Sequence, residues 1–515
     1  MRLIHNIRIL PYTGVNARSF STSNVNNGSL PLVPLWINGQ STTSSTGGTV
    51  IHKHPKTGKE TCEVTVAGEQ ETKEAIEGSK KAFEEWKDVS GWERKGILQN
   101  VVKILKDRSD TFTEALRADA PFSDIVIAGD QASSAHLTDG AANTAISLEG
   151  TIPQTKDGSF SMVLRQPFGP TLSIPAFNYP LTLALRSIAY PLACGNTVLL
   201  RASPLLPQFY QLLNPLFEDA GLPKGVLQTL NFSDKDVPKR VEQMIAHRDV
   251  KMVNFTGSVR LGKILAAQCG EYLKPSVMEL GGKSVAIVLP SADLKLAANN
   301  ILFGAFLNSG QVCMSTEQVL VHSDIAEEFE QILKQSAEEP NWGEGMEMIR
   351  PGSGRGAKAL YDNAVKNGAK VVFESASANS SSSSSSFPST ILSSLSSSTS
   401  LSTEESFSPL LTLHTFHSIP SIHDHANSHA TGLTSSIFSK DLSEALELAK
   451  KIESGAVHIN GMTIHDQHNL PHGGWKESGW GRFNGQGAIE SFTQTKNVRI
   501  ANPTMLPLSA IYKGL

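Results

Sequence analysis

One thiol and one carboxylate in this chain have neighbours suited to chemistry. Cys313 follows Asn308-Ser309-Gly310-Gln311-Val312 and precedes Met314-Ser315, while Glu279 lies in Met278-Glu279-Leu280-Gly281-Gly282-Lys283. A cysteine attacks only as thiolate, and its covalent adduct needs a second group that activates water for release. Between the two, Ser284 to Leu289 reads as a strand and Leu294 to Phe306 as an amphipathic helix. A strand and a helix folding back would bring Glu279 and Cys313 face to face as base and nucleophile. The chain has only three other cysteines, Cys62, Cys194 and Cys269, with no CxxC spacing. That excludes a disulfide framework and a Cys-built zinc site, and it leaves those three as small buried hydrophobes.

Five further motifs accompany the pair. Arg165-Gln166-Pro167-Phe168-Gly169-Pro170 leads into Ile174-Pro175-Ala176-Phe177-Asn178-Tyr179-Pro180. The Asn178 amide is an uncharged donor suited to an oxyanion, in partnership with the Cys313 backbone N–H; otherwise it is a turn residue. Gly195-Asn196-Thr197-Val198-Leu199-Leu200-Arg201 closes a strand. Gly257-Ser258-Val259-Arg260-Leu261-Gly262 follows another strand and opens a helix, where backbone N–H groups can meet a pyrophosphate. An ordinary helix cap is the alternative there. Glu404-Glu405-Ser406-Phe407-Ser408-Pro409 and Pro471-His472-Gly473-Gly474-Trp475-Lys476-Glu477-Ser478-Gly479 come late.

With these motifs in order, the chain resembles the aldehyde dehydrogenase superfamily over roughly residues 35 to 500, and the interval from Glu279 to Cys313 matches the family's. Leu185-Arg186-Ser187-Ile188-Ala189-Tyr190-Pro191-Leu192-Ala193-Cys194 and Ile459-Asn460-Gly461-Met462-Thr463-Ile464-His465-Asp466 most resemble the salicylaldehyde and vanillin dehydrogenases. The resemblance implies NAD(P)-dependent oxidation of an aldehyde, aromatic by that likeness, to its acid through a cysteine thioester. Cys313, Glu279 and Asn178 would be catalytic. Ile174, Phe177, Arg201, Gly257, Ser258, Gly262, Leu280, Glu405 and Phe407 would bind cofactor, Glu405 at the nicotinamide ribose and Phe407 beside the ring. No metal is implied. Arg201 stands where the family usually has Lys, and Pro204 where NAD-preferring members often carry Glu. The cofactor is therefore NAD or NADP. Ser408 replaces the usual Gly and Phe177 the usual Trp. The alternatives are a catalytically silent nucleotide-binding or structural relative and, against the presence of Glu279, a CoA-acylating semialdehyde dehydrogenase.

The elements that must position these residues read as α/β. Glu69 to Ala120 is helical; beyond Asp139 short strands at Thr171 to Ile174, Thr197 to Leu200, Gly225 to Leu230 and Val250 to Phe255 alternate with helices at Leu181 to Leu192 and Pro238 to Ala246. That alternation predicts a parallel sheet with helices on both faces and a ligand at the strands' carboxyl ends. A second alternating region follows Ser315, interrupted by the Ser-rich tract 375–386, which reads as a surface-loop insertion. His472 and Trp475 read as loop and core residues, Lys283 as support for a strand end. Five histidines from His414 to His429 fit no metal-ligand spacing.

By resemblance, 35–147 and 165–279 form a Rossmann-like dinucleotide-binding domain and 280–489 a catalytic domain. A small antiparallel extension, 148–164 with 490–502, would make a homodimer or homotetramer. Residues 1–23 carry Arg2, Arg8 and Arg18 among apolar residues, and no acid precedes Glu60. That composition predicts a mitochondrial transit peptide, with a cytoplasmic location if it is not used. The net charge of −4 and the absence of a long apolar run argue against nucleic-acid and membrane partners.

Overall fold

A computed structural model describes residues 29–339, 346–375, 384–396 and 399–501. The segment read as a transit peptide lies outside the described residues. The first sheet has at its centre five parallel strands in the order Ser276–Leu280, Met252–Gly257, Thr171–Ile174, Val198–Arg201 and Leu227–Leu230. The chain enters at the middle strand, runs out to one side, then returns to the other. Strand order therefore reverses between Thr171–Ile174 and Met252–Gly257, the crevice where doubly wound sheets bind ligands. Leu35–Ile37 and Gln40–Thr42 extend one edge and Gly479–Trp480 the other, all antiparallel.

A second sheet runs Lys370–Glu374, Thr390–Ser393, Leu410–Phe416, Thr316–His322, Ser284–Val288, Thr434–Phe438 and Ala456–Ile459. All its neighbours are parallel except the first pair. Ser284–Val288, an interior strand between Thr316–His322 and Thr434–Phe438, is buried along its whole length, as a strand covered on both faces must be. Gly281 and Gly282 carry the chain from the last parallel strand of the first sheet into that strand. The carboxyl end of one sheet thus abuts the amino ends of the other.

Several elements escape the sequence reading. Asp124–Thr144 is a helix packed on Pro180–Ala193 whose buried face is mostly Ala, Ser, Thr and Gly, with Val126, Ile127 and Leu137 too few to announce it. Thr390–Ser393 and Thr434–Phe438 are buried strands despite their serines. The tract read as an insertion is partly built in: Ser375 and Ser385 are buried, and Ser386 pairs with Glu347. Residues 376–383 lie outside the described residues. Phe160–Pro167 pairs antiparallel with Thr493–Ile500 over their full length, later by a few residues at the first strand than the sequence suggests.

Candidate active site

The position of Cys313 follows from the crossover between Ser284–Val288 and Thr316–His322. Asp293 caps the helix Leu294–Phe306 by accepting from the Leu296 N–H at 3.0 Å. Asn308, Ser309 and Gly310 then all take left-handed backbone, with φ of 52°, 57° and 70°. Such a run is strained for Asn and Ser, and at Gly310 a Cβ would lie 2.2 Å from the Ser408 carbonyl oxygen. Gln311 holds the turn: its Nε2 donates to the Asn308 carbonyl and its Oε1 accepts from the Ile349 N–H, both at 2.9 Å. Cys313 emerges half-buried at this junction, a free thiol beside Tyr179, Val312, Met314, Leu433 and Ile464.

Asn178 precedes the helix Pro180–Ala193, which is capped from outside: buried Asp130 accepts from the Leu181 and Thr182 N–H groups at 2.8 Å. Its Nδ2 donates to the Gln311 carbonyl at 3.0 Å, which leaves its second N–H beside the Cys313 turn. No hydrogen bond engages the Cys313 backbone N–H among the described residues.

Glu279 ends the Ser276–Leu280 strand and is 1% exposed. The late glycine-rich motif wraps it. Leu280 donates to the Ser478 carbonyl at 3.0 Å, and Gly479 pairs with Glu279 so closely that a Cβ there would meet the Met278 carbonyl. Arg186 Nη2 donates to Glu279 Oε2 at 3.3 Å and its Nη1 to Asp466 Oδ2 at 3.0 Å. His472 faces both acids, with Nε2 3.8 Å from Glu279 Oε1 and Nδ1 3.8 Å from Asp466 Oδ1. The Arg186 guanidinium also lies over the Phe483 ring, 4.5 Å from its centroid. Burial would raise the Glu279 carboxyl, but His472, Arg186 and the Cys313 thiol hold it well below the usual carboxylate range. Burial, and then the Glu279 charge, push the Cys313 thiol well above its ordinary value. The pair thus rests as carboxylate and neutral thiol.

The residues expected around a dinucleotide fall into two groups. Ile174, Arg201, Gly257 and Leu280 end the first sheet's strands, at its carboxyl edge. Ser258 caps the next helix, accepting from the Leu261 N–H, and Gly262 packs so tightly that a Cβ would lie 2.5 Å from Leu280 Cδ1. Close helix–strand packing at such a turn is what a bound pyrophosphate requires. Arg201 is half-buried, with Asp234 and Tyr210 as its charged or titratable neighbours. Phe177 and Phe407 meet edge to face, centroids 6.3 Å apart. The Glu405 carboxylate lies over Gly281, where a Cβ would come within 2.2 Å of its oxygen. Burial and then the neighbouring Glu317 push its carboxyl up to about 8. Lys283 supports this loop through a buried ion pair with Glu317 at 2.5 Å, and Glu317 accepts from the Ser406 and Phe407 N–H groups.

Sequence reasoning missed Arg186, Asp466 and His472. All three stand in quoted motifs, but only proximity reveals that they surround Glu279, so His472 is no mere loop residue. His52, Cys62 and Asp119 also cluster within 4.8 Å. Both His52 nitrogens are engaged by Thr61 and Leu205, and Asp119 accepts from the Gln208 and Phe209 N–H groups. That cluster caps a helix.

Comparison with known proteins places these details. The model of the aldehyde dehydrogenase family matches residues 42–498. The chain belongs to the aldehyde dehydrogenase family. It is 36% identical to a vanillin dehydrogenase of Pseudomonas fluorescens over 91% of its length and 98% of the relative's. Identity to a benzaldehyde dehydrogenase [NAD(+)] of Pseudomonas putida is 32%, over 84% and 89% of the two chains. The crystal structure of a salicylaldehyde dehydrogenase from Pseudomonas putida G7, complexed with salicylaldehyde, superposes with a TM-score of 0.89 at 34% identity, covering 92% of this chain and 99% of that one. The α/β fold expected from sequence is that of the family. These bacterial relatives give no support to a mitochondrial address.

Proposed function

We propose that this aldehyde dehydrogenase oxidises an aromatic aldehyde to its carboxylic acid with NAD or NADP. The observation that carries the chemistry is the meeting of Cys313 with the buried Glu279 at the junction of the two sheets. Cys313 gives its proton to Glu279 and attacks the aldehyde carbon. The second Asn178 N–H and the Cys313 N–H hold the resulting oxyanion, each such donor contributing about 3 kcal/mol. NAD or NADP would supply the hydride acceptor that lets the tetrahedral adduct collapse to a thioester on Cys313. Once the thiol's proton has left Glu279, the carboxylate takes a proton from water, whose oxygen bonds to the carbonyl carbon as the C–S bond breaks and the Cys313 sulfur departs as thiolate. Gly257, Ser258 and Gly262 would hold the pyrophosphate, Arg201 and Asp234 the adenosine side, Glu405 the nicotinamide ribose, with Phe177 and Phe407 flanking the ring.

The apolar ring of Tyr179, Met314, Leu433 and Ile464 around the thiol supports an aromatic substrate, as do the vanillin and salicylaldehyde dehydrogenases among the relatives. The bacterial relatives favour a cytoplasmic setting, and a homodimer or homotetramer joined through Phe160–Pro167 and Thr493–Ile500 completes the reading. The test is NAD(P)H absorbance with benzaldehyde-type and aliphatic aldehydes. Turnover should favour the aromatic series and vanish in Cys313→Ser while cofactor binding persists. Folded protein that reduces neither cofactor with any aldehyde would sink this reading in favour of the silent relative.

A further inference from the structure

Glu279 can serve turnover after turnover only if the proton it collects leaves, yet its side chain is 1% exposed. Its Oε2 is held by Arg186. Among the described residues its Oε1 has no hydrogen-bond partner, and neither has the His472 Nε2 that faces it at 3.8 Å. Two unpartnered buried polar atoms so close are costly unless the gap closes or admits water. Behind His472, Nδ1 faces Asp466 Oδ1, also at 3.8 Å. Asp466 is fixed by Arg186 at 3.0 Å and by the Asn484 amide at 2.6 Å. Side-chain exposure rises outward along this series, from 1% at Glu279 to 8% at His472 and 15% at Asp466.

We propose that His472 and Asp466 form the path by which Glu279 returns its proton to solvent, His472 acting through Glu279 as a positioning and relay residue. The inference rests on the thioester reading above. Glu279 collects two protons per turnover, the Cys313 thiol's before attack and then one from water as the carbon–oxygen bond forms. It passes each to His472 Nε2, and the imidazole releases its Nδ1 proton towards Asp466 and bulk water and returns to its starting tautomer before the next. The thiolate freed with the acid takes one proton back from solvent. Arg186, bonded to both acids, holds the two carboxylates apart with the imidazole between them.

The experiment is rapid mixing of the whole enzyme with cofactor and an aromatic aldehyde, for the wild type and His472→Ala. The variant should still give a burst of reduced cofactor, then turn over at least about tenfold more slowly. Acid quench should trap the Cys313 thioester, and added imidazole should restore turnover. Unchanged turnover in His472→Ala would overturn the relay, as would loss of burst and turnover together with no rescue by imidazole. If His472→Ala does not fold, Asp466→Asn replaces it, with slowed turnover and an enlarged solvent deuterium isotope effect expected; wild-type values of both would equally overturn the path. A wild type that forms no reduced cofactor would instead remove the underlying reading, and the relay with it.

Discussion

Glu279 sits where burial and charge oppose one another. Out of water a carboxylate should protonate, but Arg186 and His472 keep this one ionised, and its charge then raises the Cys313 thiol. In the proposed mechanism Cys313 is therefore activated by proton transfer at the moment of attack rather than by resting as thiolate. A consequence is measurable without substrate. In Glu279→Gln the negative charge is gone, so the thiol should ionise at lower pH. The pH midpoint for alkylation of Cys313 by iodoacetamide should fall, even though aldehyde turnover drops by about 100-fold or more as general-base help is lost. A midpoint that stayed or rose would mean that the two side chains do not interact in solution.

At the scale of elements, the site depends on a loop no propensity would choose. Asn308, Ser309 and Gly310 hold left-handed backbone in succession, and Gly310 lies against the Ser408 carbonyl, so the loop carrying Phe407 and the loop carrying Cys313 fix each other. Gly310→Ala should lower stability by about 1–3 kcal/mol and cut turnover roughly 100-fold, since a displacement near 1 Å at the nucleophile has that effect. Thermal melting and steady-state rates together check it; a variant as active as the wild type would show that the loops are not so coupled. The strands around Thr171, Val198 and Ser284 and the helix Leu294–Phe306 were legible because their apolar runs and periodicity are local. Glu279 and Cys313 were legible because each stands in a short motif beside glycine. The helix Asp124–Thr144 was not, because its buried face is mostly Ala, Ser, Thr and Gly, with only Val126, Ile127 and Leu137 as large apolar residues. Arg186, Asp466 and His472 were not, because their meaning is a mutual distance that three remote segments create only on folding.

At the scale of the whole molecule, the pair Phe160–Pro167 and Thr493–Ile500 stands apart from both large sheets. Thr151 bridges to Val163 on the outer side of the first strand, whereas the outer edge of Thr493–Ile500 pairs with nothing among the described residues. A bare edge is a template for another strand unless something blocks it. Phe160, Leu164 and Ile500 are exposed on this ribbon, as is Ile152 beside it, an apolar face that water alone would solvate poorly. Lys496 and Arg499 are the only charged residues in Thr493–Ile500, and Arg499 is paired with Asp157, thin protection for an eight-residue edge. A twofold partner presenting the same edge would satisfy the backbone groups and cover the apolar residues at once. Substituting Phe160→Glu together with Ile500→Lys should therefore shift the protein to monomer in sedimentation analysis. The active site, built wholly from one chain's two sheets, should still bind cofactor in that monomer. An unchanged mass distribution would move the subunit contact elsewhere on the surface.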